Sequence, residues 1–344
     1  MSQEGHSLSA APESLETRAE RGDVEAQLAL GRLCETRDNS AAARGWFAKA
    51  AKVGSIAGLR ALGISLLTQK PIEGDAGVNI IRAAAARGDG EAAHVCGMIA
   101  AGDAALPDRW SVARQCLEIA AERGFDFART QLDFIADTQC DFGIDETPGR
   151  EIFAAPSIRV LEGFASPAEC DWFIARARPR LHRAVVYDDV NGGAKPQDAR
   201  SNSSAEFNVA QSDIVLMHLR ARIAAACAID DLEMSSVLHY APGQEFRPHF
   251  DFLDPANLGT LRDLQIRGQR GATFLIYLNE EYEGGETAFP NLDWRFRGRK
   301  GDALLFRNLT PSGEPDRQTL HAGTPPTSGE KWLFSQWLRV PPVL

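Results

Sequence analysis

No stretch of this chain approaches the ~18 consecutive apolar residues that a membrane-spanning helix needs. Met1 to Asp23 lacks a basic segment followed by an apolar core, so it does not read as a secretion signal. The six cysteines (Cys34, Cys96, Cys116, Cys140, Cys170 and Cys227) are scattered and form no CxxC pair. That excludes the paired-thiol zinc and redox motifs. A chain of 344 residues without a signal needs no disulfide framework, so the thiols are expected to be reduced and the protein cytoplasmic. Surplus positive charge is missing too: the formal net charge is −10. This argues against a non-specific nucleic-acid or anionic-membrane binder, which needs a basic face. What remains, 44% apolar and 24% charged residues, is ordinary for a soluble protein of about two domains.

After a polar tail over residues 1–15, a repeated phrase begins. Ala19-Glu-Arg-Gly22, Ala51-Lys-Val-Gly54, Ala85-Ala-Arg-Gly88 and Ala121-Glu-Arg-Gly124 end on glycines 32, 34 and 36 residues apart. Nine residues beyond the first three lie Gly31, Gly63 and Gly97, and the fourth offset falls on Asp133. Helical periodicity fills the intervals. The phrase glycine is expected to close one helix as a C′ residue, and the second glycine to let paired helices approach closely. Two helices per unit at this period predict an α-helical solenoid. Residues 16–140 resemble Sel1-like repeats, relatives of the tetratricopeptide repeat.

The texture changes beyond Cys140. Residues 141–152, with Gly143, Pro148 and Gly149, read as a linker. Strand patterns follow at Ile158 to Leu161, Val237 to Tyr240, Ala272 to Asn279, Ala303 to Arg307 and Trp332 to Val340, with helices at Pro167 to Arg178 and Asp213 to Cys227. Little helix is expected after residue 230, which predicts a sandwich or barrel and not a parallel sheet.

Histidine is scarce, with only seven, and one stands in Arg-Pro-His249-Phe-Asp251. On a strand, residues i and i+2 share a face, so an imidazole and a carboxylate project side by side into one cavity. His321 on a distant strand would complete the two-His, one-carboxylate arrangement of non-haem Fe(II) oxygenases. An HxD triplet alone arises by chance in many chains, and the null is a surface pair. The context decides. Tyr240 lies nine residues before His249, and Lys331 ten after His321. A buried cation must be paired, and a lysine opening an apolar strand can reach the far carboxylate of a 2-oxo diacid. A turn in Tyr277-Leu-Asn…Gly-Gly-Glu-Thr287 would aim a hydroxyl into the same cavity. His239 should face the other side of its strand, and His6, His94, His182 and His218 have no ligand spacing. Asn202-Ser-Ser and Asn308-Leu-Thr match glycosylation sequons, which mean nothing in a cytoplasmic protein.

YxxGQxFxxHxD, GQR, YLN, GGETxFP, KGDALLF, LHAGTP, GEKW and WLRV occur in this order. On these motifs, residues 153–344 resemble the catalytic domain of the prolyl 4-hydroxylase α-subunit family. The resemblance implies a double-stranded β-helix, of the jelly-roll or cupin kind with flanking helices, so that the whole chain is α+β in two domains. It implies iron held by His249, Asp251 and His321, with 2-oxoglutarate and O₂ as cosubstrates and ascorbate as a reductant. Lys331 would bind the 2-oxoglutarate C5 carboxylate, with Tyr240 and Thr287 as hydrogen-bonding partners and Leu275 packed on the cosubstrate. Arg270 and Trp337 would line the peptide site.

Two positions depart from the family's pattern. Phe246 stands where a tyrosine is frequent, and Arg339 where relatives carry histidine; both lie on the substrate side. Three readings stay open: a hydroxylase of a prolyl or other residue in a peptide or protein docked on the repeats, a hydroxylase of a free amino acid or small metabolite whose carboxylate pairs with Arg339, and a non-catalytic scaffold or 2-oxoglutarate or oxygen sensor. The oligomeric state is not legible.

Overall fold

The computed structural model describes residues 14–69, 72–144, 149–184, 186–187, 194–195 and 199–341. His6, most of the expected tail and Pro148 of the expected linker lie outside the described residues. The chain divides into two compact units, one of residues 1–139 with 212–214, the other of 140–211 with 215–344. Among the described residues no helix is long and apolar enough to cross a membrane.

The first unit is helical: α1 (Leu15–Glu20), α2 (Val24–Glu35), α3 (Ser40–Lys52), α4 (Ile56–Thr68), α5 (Gly74–Ala86), α6 (Gly90–Gly102), α7 (Arg109–Glu122) and α8 (Asp126–Thr138). Helix α1 begins at Leu15, capped by Ser14, so the expected tail is slightly too long. The phrase glycines do what their spacing requires. Gly22, Gly54, Gly88 and Gly124 have φ of 95°, 90°, 97° and 82°, a conformation that disfavours any Cβ. Each reverses the chain after a helix. The next residue's N–H closes onto the last turn, as in Ser55 to Ala50 O at 3.1 Å and Phe125 to Ala120 O at 3.0 Å. The second glycines serve close packing. A Cβ on Gly31 would lie 2.7 Å or less from three ring atoms of Phe47, and one on Gly63 would lie 2.8 Å from Ile81 Cγ1.

The second unit is antiparallel β with helices added. Its elements are β1 (Arg150–Phe153), β2 (Ile158–Leu161), α9 (Pro167–Ala177), β3 (His182–Arg183), β4 (Val186–Tyr187), β5 (Ala194–Lys195), β6 (Ser203–Phe207), α10 (Ile214–Cys227), β7 (Asp231–Leu232), β8 (Ser235–Tyr240), β9 (Phe246–His249), α11 (Leu258–Arg267), β10 (Gln269–Tyr277), β11 (Tyr282–Gly284), β12 (Thr287–Phe289), β13 (Trp294–Phe296), β14 (Ala303–Arg307), β15 (His321–Gly323), β16 (Pro326–Gly329) and β17 (Lys331–Val340). Strand β1 falls inside the stretch expected to be linker, because Arg150 and Glu151 pair with Val160 and Arg159. Helix α11 was not anticipated after residue 230. It is short, and it leaves Leu261 and Ile266 exposed, so it carries little of the apolar periodicity that marks a helix.

The largest sheet runs β1-β2-β14-β10-β17-β8-β6-β3, with β7 also on β17, a four-stranded sheet runs β13-β12-β15-β9, and β11-β16 and β4-β5 form two-stranded sheets. Side chains alternate along each strand. On β10, Leu275 and Tyr277 join one buried cluster with Tyr240, Phe289, Phe306 and Leu333, drawn from the two larger sheets. The alternate residue Phe274 packs on Phe164 at 4.8 Å, outside that cluster.

The glycine argument yields a paired test of the helical unit. Gly31→Ala should destabilise it by about 1–3 kcal/mol, because the methyl group overlaps the buried Phe47 ring. Gly45→Ala, in α3 with nothing within 4 Å of the added Cβ, should stabilise it by about 0.5–1 kcal/mol. Urea unfolding of both variants checks this, and equal or reversed shifts would remove the close-approach explanation.

Candidate metal centre and active site

Strands β15 and β9 pair so that His321 lies directly opposite His249. Asp251 follows two residues after His249. These three residues are the one group among the described residues whose ligand atoms could share a metal, all lying within 4.8 Å of one another. His249 Nε2 is 3.6 Å from Asp251 Oδ1, and His321 Nε2 is 3.4 Å from Asp251 Oδ2. Both rings are oriented by carbonyls: His249 Nδ1 donates to Arg247 O at 2.8 Å and His321 Nδ1 to Thr319 O at 3.0 Å. A carbonyl only accepts, so Nδ1 of each ring carries a proton and Nε2 is the nitrogen turned toward the carboxylate.

Electrostatics agree with this. Burial and the neighbouring His321 push His249 down to about 3, which keeps it neutral and able to ligate. Burial alone would raise Asp251, but His321, His249, the Thr273 hydroxyl and Arg270 together hold it below the ordinary carboxylate value. Phe246 stacks on His249, with centroids 3.5 Å apart and planes 14° apart, and the Arg200 guanidinium covers the other face of Phe246 at 4.6 Å. Phe306 and Phe289 pack on His321.

The core holds a second polar group. Lys331 is 0% exposed, and its Nζ has no hydrogen-bond partner. It sits 5.3 Å over the Tyr240 ring and 5.4 Å over the Tyr277 ring. Pairing of β17 with β8 sets Lys331 opposite Tyr240. Desolvation pushes the ammonium down to about 7, with Glu286 opposing in part. Burial likewise pushes Tyr240 up to about 12, so its phenol stays protonated as a donor. Thr287 Oγ1 is 2.7 Å from Tyr277 Oη, and both are buried. Leu275 lies two residues from Tyr277 on the same face of β10. An unpaired cation near phenols and a threonine hydroxyl is a set of groups that suits a carboxylate.

The two remaining sequence-derived residues occupy one ion network. Arg270 donates to both carboxylate oxygens of Glu233, at 2.8 and 3.1 Å, and lies 3.5 Å over the Trp337 ring. Arg339 does not face open space. Its guanidinium is 2% exposed and donates to Glu233 at 2.5 Å, Asp263 at 2.6 Å and Gly268 O at 2.6 Å. Two guanidiniums thus meet two carboxylates, and each nitrogen of the Arg339 guanidinium already donates to a protein acceptor. His239 packs on Trp332 at 4.4 Å, away from the site, as its position on β8 requires.

Sequence reasoning did not single out Tyr277, Glu233, Asp263, Arg200, Thr273 or Asn308. Tyr277 was visible in the YLN motif, two residues in register from Leu275. The others had no signal, because each acts through a partner distant in sequence.

Lys331 generates a test that needs no ligand. Its folded-state value near 7 lies below the unfolded value of 10.5, so between these the unfolded chain binds the extra proton. Stability from this group therefore rises as pH goes from 7 toward 10.5 and is withheld below 7. Lys331→Met should raise the melting temperature at pH 7 and flatten the rise toward pH 10 relative to the parent. Parallel pH–stability curves for the two proteins would refute the buried, unpaired ammonium.

Residues 235–339 match the family model of the 2OG-Fe(II) oxygenase superfamily. The probable prolyl 4-hydroxylase 7 of Arabidopsis thaliana is 34% identical over 220 residues, which cover 58% of this chain and 67% of the relative. Prolyl 4-hydroxylase 1 of the same plant is 36% identical over 202 residues, covering 54% and 69%. Among solved structures, the viral collagen prolyl hydroxylase of Paramecium bursaria Chlorella virus-1, in its 2OG complex, is 28% identical and covers 53% of this chain and 96% of that one, with a TM-score of 0.41. With this likeness beside a buried His-Asp-His cluster, the chain belongs to the prolyl 4-hydroxylase family, 2-oxoglutarate-dependent dioxygenases that use Fe(II) and O₂.

Proposed function

We propose that this enzyme hydroxylates a prolyl residue of a peptide or protein. In this reading His249, Asp251 and His321 hold Fe(II), and Lys331 holds the far carboxylate of 2-oxoglutarate. The observation that carries it is the fully buried Lys331 ammonium without a hydrogen-bond partner, in the same β unit as a two-imidazole, one-carboxylate donor set. That donor set fits Fe(II), since it leaves positions open for a chelating cosubstrate and O₂. When bound, iron supplies the oxidising chemistry, with 2-oxoglutarate as the co-reductant and ascorbate as an auxiliary reductant.

The chain's own residues bind, orient and exclude water. Lys331 neutralises the C5 carboxylate, and Tyr240 and Thr287 donate hydroxyl hydrogens to it. Tyr277 has one proton to give. Its Oη lies 3.2 Å from Phe296 O, which only accepts, and 2.7 Å from Thr287 Oγ1, so Thr287 turns its own proton to the carboxylate when the Tyr277 proton swings from Phe296 O to Thr287. Leu275 walls the cosubstrate, and Phe246, Phe289 and Phe306 keep the iron ligands dry. Arg270, fixed by Glu233 over Trp337, forms the wall of the peptide site.

The small-metabolite reading relied on Arg339, which is buried and whose three nitrogens each already donate to a protein acceptor, so the peptide reading is favoured. The names of the relatives support it as well. We further read the two larger sheets as a jelly roll and the helical unit as Sel1-like repeats over residues 16–140 that dock the substrate chain. Six free thiols fit a reducing cytoplasm.

The test is succinate formation by protein loaded anaerobically with Fe(II), given 2-oxoglutarate and O₂, with and without a proline-rich peptide pool. Pool-stimulated succinate, with one oxygen atom added to a prolyl residue by mass spectrometry, is expected for the parent and is lost in His249→Ala. No stimulation by any peptide would end the peptide reading. Lys331→Ala should raise the 2-oxoglutarate KM about 10- to 100-fold, the loss of a charge-assisted hydrogen bond.

The sign of the pH effect also follows. A dianion needs the protonated ammonium, so 2-oxoglutarate affinity should be full below pH 7 and fall about tenfold per pH unit above it. A flat affinity between pH 7 and 9 would separate Lys331 from the cosubstrate.

A further inference from the structure

The two oxygens of Asp251 are not equivalent. Oδ2 accepts the Thr273 hydroxyl at 2.7 Å, while Oδ1 faces His249 and has no such donor. A carboxylate only accepts, so the single Thr273 proton lies on this bond. Thr273 Oγ1 in turn is 3.0 Å from Asn308 Nδ2, which only donates. The chain of bonds therefore has one direction: amide N–H to hydroxyl oxygen, hydroxyl O–H to carboxylate. Turning the amide over would set two acceptors against Thr273, which has one proton, and one contact would become repulsive.

The three side chains are 0% exposed at Asn308, 1% at Thr273 and 4% at Asp251. In this setting a hydrogen bond is strong and a misdirected one is costly. The backbone around them is fixed as well. Thr273 on β10 stands opposite Phe306 on β14. Asn308 N donates to Gly271 O at 3.0 Å, and Asn308 O accepts from Asp316 N at 2.9 Å. Asn308 Oδ1 is buried with no hydrogen-bond partner, so the amide is retained at the expense of an unsatisfied acceptor. Replacement by an apolar residue would remove that penalty. The Nδ2 bond is the compensating feature.

We propose that Asn308 and Thr273 are positioning residues that hold Asp251 as a one-oxygen metal ligand. With Oδ2 engaged by Thr273, the carboxylate keeps one rotamer and does not chelate with both oxygens, so a coordination position stays open for the cosubstrate. This rests on the triad being the iron site. Partners of this kind typically change metal affinity 10- to 100-fold. Burial also explains why the Asn308 sequon has no bearing on glycosylation.

The test uses the full chain and measures metal alone, by calorimetric titration with Fe(II) under anaerobic conditions and by the visible spectrum of the Co(II)-loaded protein. Thr273→Val, nearly isosteric, should weaken Fe(II) binding about 10- to 100-fold and change the Co(II) bands. Thr273→Ser, which keeps the hydroxyl, should restore both. Asn308→Asp, which sets a second acceptor on Thr273, should weaken binding in the same direction. Circular dichroism and thermal unfolding report whether each variant is folded, and comparisons are made among folded variants. Unchanged affinity and spectrum in Thr273→Val overturn the proposal, as does a failure of Thr273→Ser to restore them, which would mark a packing role. A parent chain that binds neither metal would instead remove the iron-site reading on which the proposal rests.

Discussion

Lys331 opens β17 at the centre of the large sheet, with its ammonium sealed from water and offered no protein acceptor. Removing a charge from water without a partner is among the costliest acts in a protein interior. The rest of the β unit has to tolerate it. Strand β17 pairs with β8 over Lys331–Ser335 and with β10 over Leu333–Val340, and this holds the lysine over the Tyr240 and Tyr277 rings. The pairing leaves the side chain no route to solvent. The protein itself leaves this ammonium without a hydrogen-bond partner, which is the observation that the proposed role of Lys331 rests on.

The second charged cluster shows the opposite use of the same groups. Glu233, Arg270, Arg339 and Asp263 are paired to near saturation, so their charges stabilise the local backbone and recruit nothing. Arg339 ties β17 to α11 and to Gly268, while Arg270 shares Glu233 and is held flat on Trp337. Lys331 is left without a hydrogen-bond partner, whereas these four charges close on one another.

Register does the remaining work. Because side chains alternate with period two, a one-residue slip would turn every site residue to the opposite face. Opposition of His321 and His249 across β15 and β9 brings two ligands together from segments 72 residues apart in the chain. Thr273, Leu275 and Tyr277 then run along one face of β10, from the Asp251 end to the Thr287 end. The helical unit follows different rules: a positive φ at one glycine and close helix approach at another, repeated along the chain.

By itself the sequence marked β2, β8, β10, β14 and β17 and helices α9 and α10 in the β unit, the repeat glycines, the His-Asp-His group and the lysine. Each rests on local rules, since periodicity, turn chemistry and fixed spacing are written within a few residues of one another. Strands at Ile158–Leu161 and Ala303–Arg307 were legible to the residue, because β-branched and aromatic side chains bounded by Gly and Pro leave little choice. Only the tertiary structure decided that Arg339 is closed off, that Glu233 and Asp263 matter, that Tyr277 meets Thr287, and that Asn308 reaches Asp251 through Thr273. These are pairings between residues 10 to 106 positions apart. Nothing in local propensity records which distant acceptor a buried donor will find, because that is settled by strand register and by the requirement that buried polar groups be paired.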